Sequence, residues 1–222
     1  MSRYAPVNFP DVKLEGKFWH ERLETVLTRT VPSQYRKLEE SGILESLELK
    51  DPPPPLRIPR MGGPNGHTHQ VFWDSDIGKW IEAAGYALRH RRDPDLEAKV
   101  DAIIDQLEAA QMPDGYLNLW YQGHEIDKRW TNLRDRHELY NAGHLLEGAI
   151  AYYQATGRRK LLDVLERYLD QCWATASEAQ RGAFLRLLDC EDDRLWRWVL
   201  GHERADDAEL RTLVEHLRAL PH

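Results

Sequence analysis

Side chains that can transfer protons or contact sugars are concentrated between residues 130 and 144. Trp130 precedes the run Arg-His-Glu-Leu-Tyr, in which His137 and Glu138 fall in the first turn of a predicted helix, and His144 follows further along it. Sugars stack on aromatic rings and form hydrogen bonds with imidazole and carboxylate groups, so the segment could line a carbohydrate cleft. The alternative is a helix N-terminus whose carboxylate favours the helix dipole and whose His144 is packed.

A second group of polar residues comes before the first strongly periodic segment. His67 and His69 are two positions apart, and Asp74 and Asp76 follow them closely. Histidine and carboxylate ligands suit zinc or iron, but a two-residue histidine spacing is common by chance. We therefore favour a loop with polar contacts to the following helix and assign no metal site.

The elements that position these residues are predicted to be helices, since apolar residues recur at helical spacing and strand signals are scarce. The segment beginning at Phe18 is predicted to break near Thr30 and to restart with Pro32 in its first turn. Asp74 or Ser75 is predicted to cap the next helix. The chain is thus expected to be all-α.

Paired helices recur along the chain. Asp93-Pro94 starts a second helix that forms an αα-hairpin with the first, and a Trp- and Arg-rich loop at 116–135 precedes a helix over 136–155. Gly157 ends that helix. This spacing of hairpins indicates stacked or toroidal helical hairpins rather than a four-helix bundle.

The C-terminal part has shorter helices with their own caps. Ser177 and Asp206 each begin a capping-box pattern, and an apolar helix between them is predicted to be largely buried. Cys172 and Cys190 are too few for a disulfide framework or a four-thiolate zinc site, so both are interpreted as small buried hydrophobic residues.

Charge excludes some partners. The 222 residues include 30 Lys and Arg against 37 Asp and Glu, for a net charge of −7. This balance argues against nucleic acid or an anionic membrane surface as the main partner. Because the chain has neither a long apolar run nor a basic-then-apolar start, no membrane span is predicted and the cytoplasm is the expected location.

Three long segments resemble the N-terminal part of glycoside hydrolase family 127, the β-L-arabinofuranosidase-like enzymes. They occupy residues 18–32, 71–118 and 129–164 in the family's order. The resemblance implies part of an (α/α)6 barrel and an arabinose-containing glycan as ligand. By motif, His137 matches a substrate-binding histidine. The other residues assigned to the cleft or to structural roles are Asp74, Asp76, His144 and Trp130.

The same resemblance implies retaining chemistry with a glutamate acid/base and a zinc-bound cysteine nucleophile, because metal coordination lowers a thiol pKa. Those residues belong to later parts of the family's barrel. Cys172 and Cys190 follow the point where the resemblance stops, so no catalytic or zinc-binding residue is assigned. The chain is therefore expected to be inactive as a glycosidase.

Residues 161–220 are similar to the C-terminal four helices of the FAD assembly factor SdhE, which promotes flavin attachment to the succinate dehydrogenase flavoprotein subunit. That family's Arg-Gly-x-x-Glu motif should lie just before Leu161, where the chain reads Thr-Gly-Arg-Arg-Lys. The resemblance makes the flavoprotein subunit a candidate partner, but the altered motif counts against flavinylation.

The two resemblances divide the chain into a barrel fragment at 1–160 and an SdhE-like segment at 161–222. Three hypotheses follow: a sugar-binding module, a flavoprotein assembly module, and a non-functional gene fusion. In the third, the unpartnered helix faces of an incomplete barrel are expected to promote self-association.

Overall fold

The computed structural model describes residues 12–50, 71–132, 136–175, 178, 181–182, 185–186, 190 and 192–218. Within these residues the regular elements are helices and no strand occurs, which confirms the all-α class. The α-helices, in chain order, are α1 Lys17–Thr25, α2 Val31–Ser41, α3 Ile43–Ser46, α4 Asp74–His90, α5 Pro94–Ala110, α6 Glu138–Thr156, α7 Lys160–Thr175, α8 Asp192–Val199 and α9 Ala208–Arg218.

Helices α1 and α2 are joined without a break, so the predicted interruption near Thr30 is wrong. A π-helical turn over Val26–Thr30 links them, and the N–H of Val31 donates to the carbonyl of Val26. Pro32 lacks an N–H, and in a regular α-helix its ring clashes with the carbonyl four residues earlier. The wider π turn just before Pro32 relieves that conflict and keeps the helix continuous.

The hairpin of α4 and α5 forms as predicted. Asp93 caps α5 with its side chain, since Oδ1 accepts from the N–H groups of Asp95 and Leu96, both at 3.1 Å. The apolar faces of the two helices meet in the main core. Its completely buried members include Ile77, Ile81, Val100, Ile103, Ile104 and Leu107.

The start of α4 differs from the prediction, because neither Asp74 nor Ser75 caps it. The N-terminal flanking residue is Trp73, which makes no side-chain cap. Ser75 donates its hydroxyl to the carbonyl of Phe72 at 2.7 Å. Asp74 accepts instead from the N–H of Leu119, on a distant loop.

Glycines bring α4 and α6 together. A Cβ at Gly78 would lie 2.5 Å from the carbonyl oxygen of His144, and one at Gly85 would lie 2.9 Å from that of Ala151. Gly148 faces Gly78 in turn, with its Cβ position 2.6 Å from the Gly78 oxygen. Contacts advance in the same direction along both helices, so α4 and α6 run parallel and their N-termini lie at one end.

The segment between α5 and α6, predicted as an irregular loop, contains two short helical turns. A π turn spans Tyr121–Glu125 and a 3₁₀ turn spans Ile126–Lys128. Beyond it, α6 ends at Gly157 in the left-handed conformation, as predicted.

The predicted domain boundary at residues 160/161 falls at the start of α7, which runs on to Thr175. Basic residues here bind an acidic stripe on α5. Arg158 contacts Glu97 at 2.9 Å and also pairs with Asp101, while Lys160 contacts Asp105 at 2.7 Å. The division into two domains remains a prediction.

Helices α8 and α9 share a small cluster around Trp198, whose side chain is buried. The apolar helix is less buried than predicted, because Val199 and Leu200 are exposed. Asp207, rather than Asp206, caps α9 by accepting from the N–H of Glu209 at 2.8 Å. The exposed Asp206, one residue earlier, pairs with Arg194 on α8 at 3.4 Å.

The two cysteines and the other capping box have different outcomes. Cys190 is half-buried, not buried, and donates its thiol to the carbonyl of Arg186 at 3.2 Å. The side chain of Cys172 and the whole of Ser177 lie outside the described residues.

Surface apolar groups remain on α6, where the side chains of Leu139, Leu146 and Ile150 are exposed. Self-association through such faces stays a prediction. In the part of the chain that the structure describes, no helix has both the length and the apolar character needed to cross a membrane.

Candidate functional site

The parallel packing of α4 and α6 places two rows of polar and aromatic side chains on one exposed face. Asp76 and Lys79 come from the first two turns of α4, and His137, Tyr140 and His144 come from the start of α6. We call this surface the α4–α6 face. It brings together three of the predicted cleft residues: Asp76, His137 and His144.

Lys79 links the two helices across this face. Its Nζ donates to the hydroxyl of Tyr140 at 2.8 Å and to Oγ of Ser75 at 3.1 Å, and it lies 4.8 Å from the centre of the Tyr140 ring. Asp76 Oδ1 is 3.9 Å from the same nitrogen. The ammonium group therefore links the two rows and offers a hydrogen-bond donor to a ligand.

Aromatic rings form a ladder along α6. The ring of His137 lies 5.2 Å from that of Phe72 and 5.6 Å from that of Tyr140, and Tyr140 lies 4.5 Å from His144. Nδ1 of His144 approaches Glu147 at 2.8 Å. Side chains three and four residues apart share a helix face, so this spacing could have revealed Tyr140, which the sequence analysis did not assign to the cleft.

Asp76 is half-buried on the edge of a wider cleft. Burial raises the pKa of its carboxyl group, and the nearby Lys79 and His144 oppose that shift. The cleft has a volume of about 700 Å³ and opens between α2 and α4. Its lining residues include Gln34, Lys37, Ser41, Asp76, Lys79 and Trp80.

Asp74 lies inside the protein rather than on this face. It is 1% exposed, its Oδ2 accepts from the N–H of Leu119 at 2.9 Å, and its Oδ1 has no hydrogen-bond partner among the described residues. Burial raises the pKa of this carboxyl group to about 7. Asp74 therefore anchors the loop at Leu119.

Glu138 is also buried and organises the entry to α6. Its Oε1 accepts from the hydroxyl of Tyr116 at 2.6 Å, and both of its oxygens accept from the N–H of Trp130, at 3.1 and 2.9 Å. Burial raises the pKa of Glu138, while the bonds from Tyr116, Trp130 and Tyr121 oppose the shift. The sequence pattern pointed to the helix dipole, and the structure adds these specific partners.

Trp130 lies on another side of α6. Its ring is 5.2 Å from that of Tyr116, and it lines a cavity of about 220 Å³ with Leu139 and Leu146. Positions 139 and 146 share a helix face that differs from the face of His137 and His144. The Trp130 side chain therefore does not lie with His137 and His144. Trp130 is connected to the start of α6 by the hydrogen bond from its backbone N–H to Glu138.

Trp120 and Tyr121 are buried, at 6% and 1% exposed. Trp120 stacks on His124 with ring centres 4.0 Å apart and lies edge-on to Trp73 at 5.5 Å. These rings pack the loop against the N-terminus of α4.

A metal centre is not formed by the residues that the structure describes. Among them, no group of three or more His, Cys, Asp or Glu side chains is placed to hold a metal ion. His67 and His69 lie outside the described residues.

Comparison with known proteins gives the wider context of the face. The family model of the β-L-arabinofuranosidase GH127 catalytic domain matches residues 11–195. The match therefore extends beyond residue 164, where the resemblance was expected to stop, and it includes Cys172 and Cys190. A non-reducing end β-L-arabinofuranosidase from Bifidobacterium longum subsp. longum is 31% identical over 181 residues, which cover 72% of this chain and 26% of that protein. The chain thus spans about a quarter of this relative.

Solved structures agree with that comparison. The crystal structure of a GH127 β-L-arabinofuranosidase from Geobacillus stearothermophilus T6 is 38% identical, with a TM-score of 0.64, and the match covers 76% of this chain and 26% of that one. A second GH127 β-arabinofuranosidase structure has a TM-score of 0.62 at 34% identity, over 74% of this chain and 26% of its own. The helices are therefore arranged as in part of these barrels.

The C-terminal part matches a different group of proteins. An FAD assembly factor SdhE from Xylella fastidiosa (strain Temecula1) is 57% identical over 65 residues, 29% of this chain and 67% of that protein. The SdhE of Methylococcus capsulatus (strain Bath) is 37% identical over 73 residues, 33% of this chain and 88% of that protein. The chain belongs to the GH127 β-L-arabinofuranosidase family, and its C-terminal part belongs to the FAD assembly factor SdhE family.

Proposed function

We propose that the α4–α6 face binds arabinofuranose-containing glycans and that the 222-residue chain does not hydrolyse them. The observation that carries this proposal is the meeting of His137, Tyr140 and His144 with Asp76 and Lys79 across two parallel helices. The face combines ring surfaces, an ammonium donor and a carboxylate acceptor. Sugar recognition uses this combination, because a pyranose or furanose ring presents both C–H surface and hydroxyl groups.

Family membership supports the choice of sugar. The relatives named above are β-L-arabinofuranosidases, and the helices that carry the face lie within the matched residues. The proposed absence of hydrolysis rests on what the family mechanism needs. That mechanism uses a zinc-bound cysteine as its nucleophile. Cys190, whose thiol donates to a backbone carbonyl, has no metal-binding group of side chains around it in the described residues.

Binding and turnover are separate measurements on the purified chain. Titration calorimetry with methyl β-L-arabinofuranoside should detect binding that His137→Ala weakens by at least tenfold. A matched control is His20→Ala, since His20 is an exposed histidine on α1, away from the face. Unchanged affinity in His137→Ala would contradict the proposed site. Turnover of an aryl β-L-arabinofuranoside that His137→Ala abolishes would contradict the absence of hydrolysis.

A second candidate function is assistance of flavin attachment to succinate dehydrogenase. The observation that favours it is the 57% identity to an SdhE over 65 residues. Against it stands the position of the family's Arg-Gly-x-x-Glu motif, where this chain has Arg158, Arg159 and Lys160. These basic side chains are held in ion pairs with Glu97, Glu166 and Asp105.

Complementation tests this second function. The chain would be expressed in bacteria that lack their own SdhE, and covalent flavin on the succinate dehydrogenase subunit would be measured by in-gel fluorescence. We expect no restored flavin. Restoration would establish the assembly function and set aside the non-functional hypothesis for this part.

The gene-fusion hypothesis is the third proposal. Its support is that one chain matches two families, the GH127 catalytic domain over residues 11–195 and SdhE over 65 residues of the C-terminal part. Sequencing reads that span the codons for residues 160–170 in the source genome would test it. Reads that break at this junction would show that the joined sequence is an assembly product, and continuous reads would show that the junction is real.

A further inference from the structure

We propose that Glu138 is a positioning residue, whose carboxylate holds Trp130 and His137 in the backbone conformations that present the His137 ring to a glycan. The proposal rests on the glycan-binding function proposed above and adds a residue that does not itself touch the ligand. It explains why a buried carboxylate occurs directly beside the half-buried histidine of the proposed binding face.

The first support is the way in which this carboxylate is used. Both oxygens accept from one backbone N–H, that of Trp130, and Oε1 also accepts from the hydroxyl of Tyr116. Glu138 is 2% exposed, so water does not compete for these bonds. A charged acceptor in such surroundings forms strong hydrogen bonds and is costly to leave without partners.

The second support is backbone conformation. Trp130 has φ of 63° and His137 has φ of 58°, and both lie in the left-handed region that side chains other than glycine rarely adopt. Such conformations persist only where surrounding contacts hold them, and they concentrate at functional sites. The Glu138 side chain bonds to the backbone of Trp130 and to Tyr116, so it holds the first residue of α6 against the loop that enters the helix. His137 lies between these two fixed points, directly before Glu138.

The third support is the placement of the His137 ring. The carbonyl of His137 accepts from the N–H of Asn141 at 2.9 Å, which closes the first turn of α6. The ring then lies between Phe72 and Tyr140. Relaxation of His137 to a right-handed or extended backbone would turn this ring away from Tyr140, and the face would lose the His137 ring.

The test first measures the local structure without any sugar. Amide hydrogen exchange of Trp130 and the imidazole NMR shifts of His137 would be recorded for the full chain and for Glu138→Ala and Glu138→Gln. We expect the Trp130 amide to exchange at least tenfold faster in Glu138→Ala than in the unmodified chain. The amide of Leu145, which lies in α6 with Glu138, is the internal reference. Glu138→Gln keeps one carbonyl acceptor and should recover part of the protection.

The second measurement is affinity for methyl β-L-arabinofuranoside. We expect Glu138→Ala to weaken binding by at least tenfold and Glu138→Gln to weaken it less. Tyr152→Phe is the matched control, because it deletes another buried tyrosine–carboxylate bond, that from Tyr152 to Asp101 at 2.7 Å, at the far end of α6. Its affinity should remain unchanged even if its melting temperature falls.

The outcomes separate the two proposals. If the unmodified chain does not bind the sugar, the glycan-binding function fails, and the exchange and NMR data still decide whether Glu138 holds Trp130 and His137. If the chain binds but Glu138→Ala neither speeds Trp130 exchange nor weakens binding, the positioning role is wrong. Should Glu138→Ala fail to fold, Tyr116→Phe removes one bond to the same carboxylate, and an unchanged His137 signal and affinity in that variant would overturn the proposal.

Discussion

The backbone of Gly78 on α4 touches the backbone of His144 on α6, with only 2.5 Å between an added Cβ at Gly78 and the His144 carbonyl oxygen. This contact sets the distance between the two rows of side chains on the α4–α6 face. A longer separation would break the hydrogen bond from Lys79 to Tyr140. The site therefore depends on a glycine that carries no functional group.

Gly78→Ala is expected to destabilise the protein, because the new methyl group meets rigid backbone on α6. Overpacking of this kind costs about 1–3 kcal/mol in the free energy of unfolding. Urea denaturation at constant pH measures the change. Gly143→Ala is the control, since a Cβ there meets nothing within 4 Å and Ala favours a helix interior by about 0.5–1 kcal/mol over Gly. Equal effects of the two substitutions would contradict the close crossing.

The stability of the protein is expected to fall between about pH 4 and pH 7 because of Asp74. Burial raises its pKa to about 7 in the folded protein, while the unfolded chain has an ordinary value of about 3.9. Between these values the folded state keeps a proton that the unfolded state has lost, so rising pH favours unfolding. Above about pH 7 both states are ionised and the contribution of Asp74 is constant.

Asp74→Asn should flatten this slope, because the amide stays neutral and its oxygen can still accept from Leu119. Denaturant unfolding at several pH values between 4 and 8 gives the slopes. Asp95→Asn is a matched control, since Asp95 is an exposed aspartate in the first turn of α5. A wild-type slope that persists in Asp74→Asn would show that another group is responsible.

Lys79→Met should weaken glycan binding by about tenfold, which is about 1.4 kcal/mol. The substitution removes the ammonium donor and the link to Tyr140 while keeping an unbranched side chain. Arg89→Met is the control, because Arg89 also joins α4 to α6, through Gln154 at 3.1 Å, but at the opposite end of the helices. Titration calorimetry with methyl β-L-arabinofuranoside compares the two variants. Equal affinities of Lys79→Met and Arg89→Met would exclude a role of Lys79 in glycan binding.

Loss of Arg158 should destabilise the contact between α5 and the start of α7. Arg158→Met removes the 2.9 Å contact to the Glu97 carboxylate, which is 11% exposed and keeps a longer contact of 3.4 Å to Arg92, and we expect a cost of about 1 kcal/mol. Arg159→Met should change stability much less, because its pairs with Asp163 and Glu166 are at the surface. Thermal melts of both variants test the difference; a larger loss in Arg159→Met would reverse this assignment.

Local signals in the sequence predicted some elements well. Asp93 followed by Pro94 marks the start of α5, because both the side-chain acceptor and the missing N–H act within one turn. Glycine at 157 marks the end of α6 for a similarly local reason, its left-handed conformation. Such features depend on neighbouring residues alone, so a sequence pattern is sufficient to find them.

Other features depend on distant partners and could not be predicted in this way. Aspartate is a common helix cap, but the carboxylate of Asp74 accepts a hydrogen bond from the N–H of Leu119, 45 positions later. Lys79 reaches Tyr140 across 61 positions. A proline such as Pro32 usually ends a helix, and no local pattern predicts the π turn that accommodates it. Of the candidate site, the residue types could be predicted, whereas the side of α6 that each one faces could not.

The pairing of Arg158 and Lys160 with the acidic stripe of α5 has a consequence for how the two family segments can be separated. Proteases cut exposed, extended linkers, whereas residues 160–175 are helical and the side chains of Arg158 and Lys160 are held in ion pairs. Limited proteolysis should therefore not cut the chain within residues 158–175. Neither family segment should be released as a separate fragment by cleavage there. An expression fragment cut at residue 160 would begin or end inside a set of broken ion pairs.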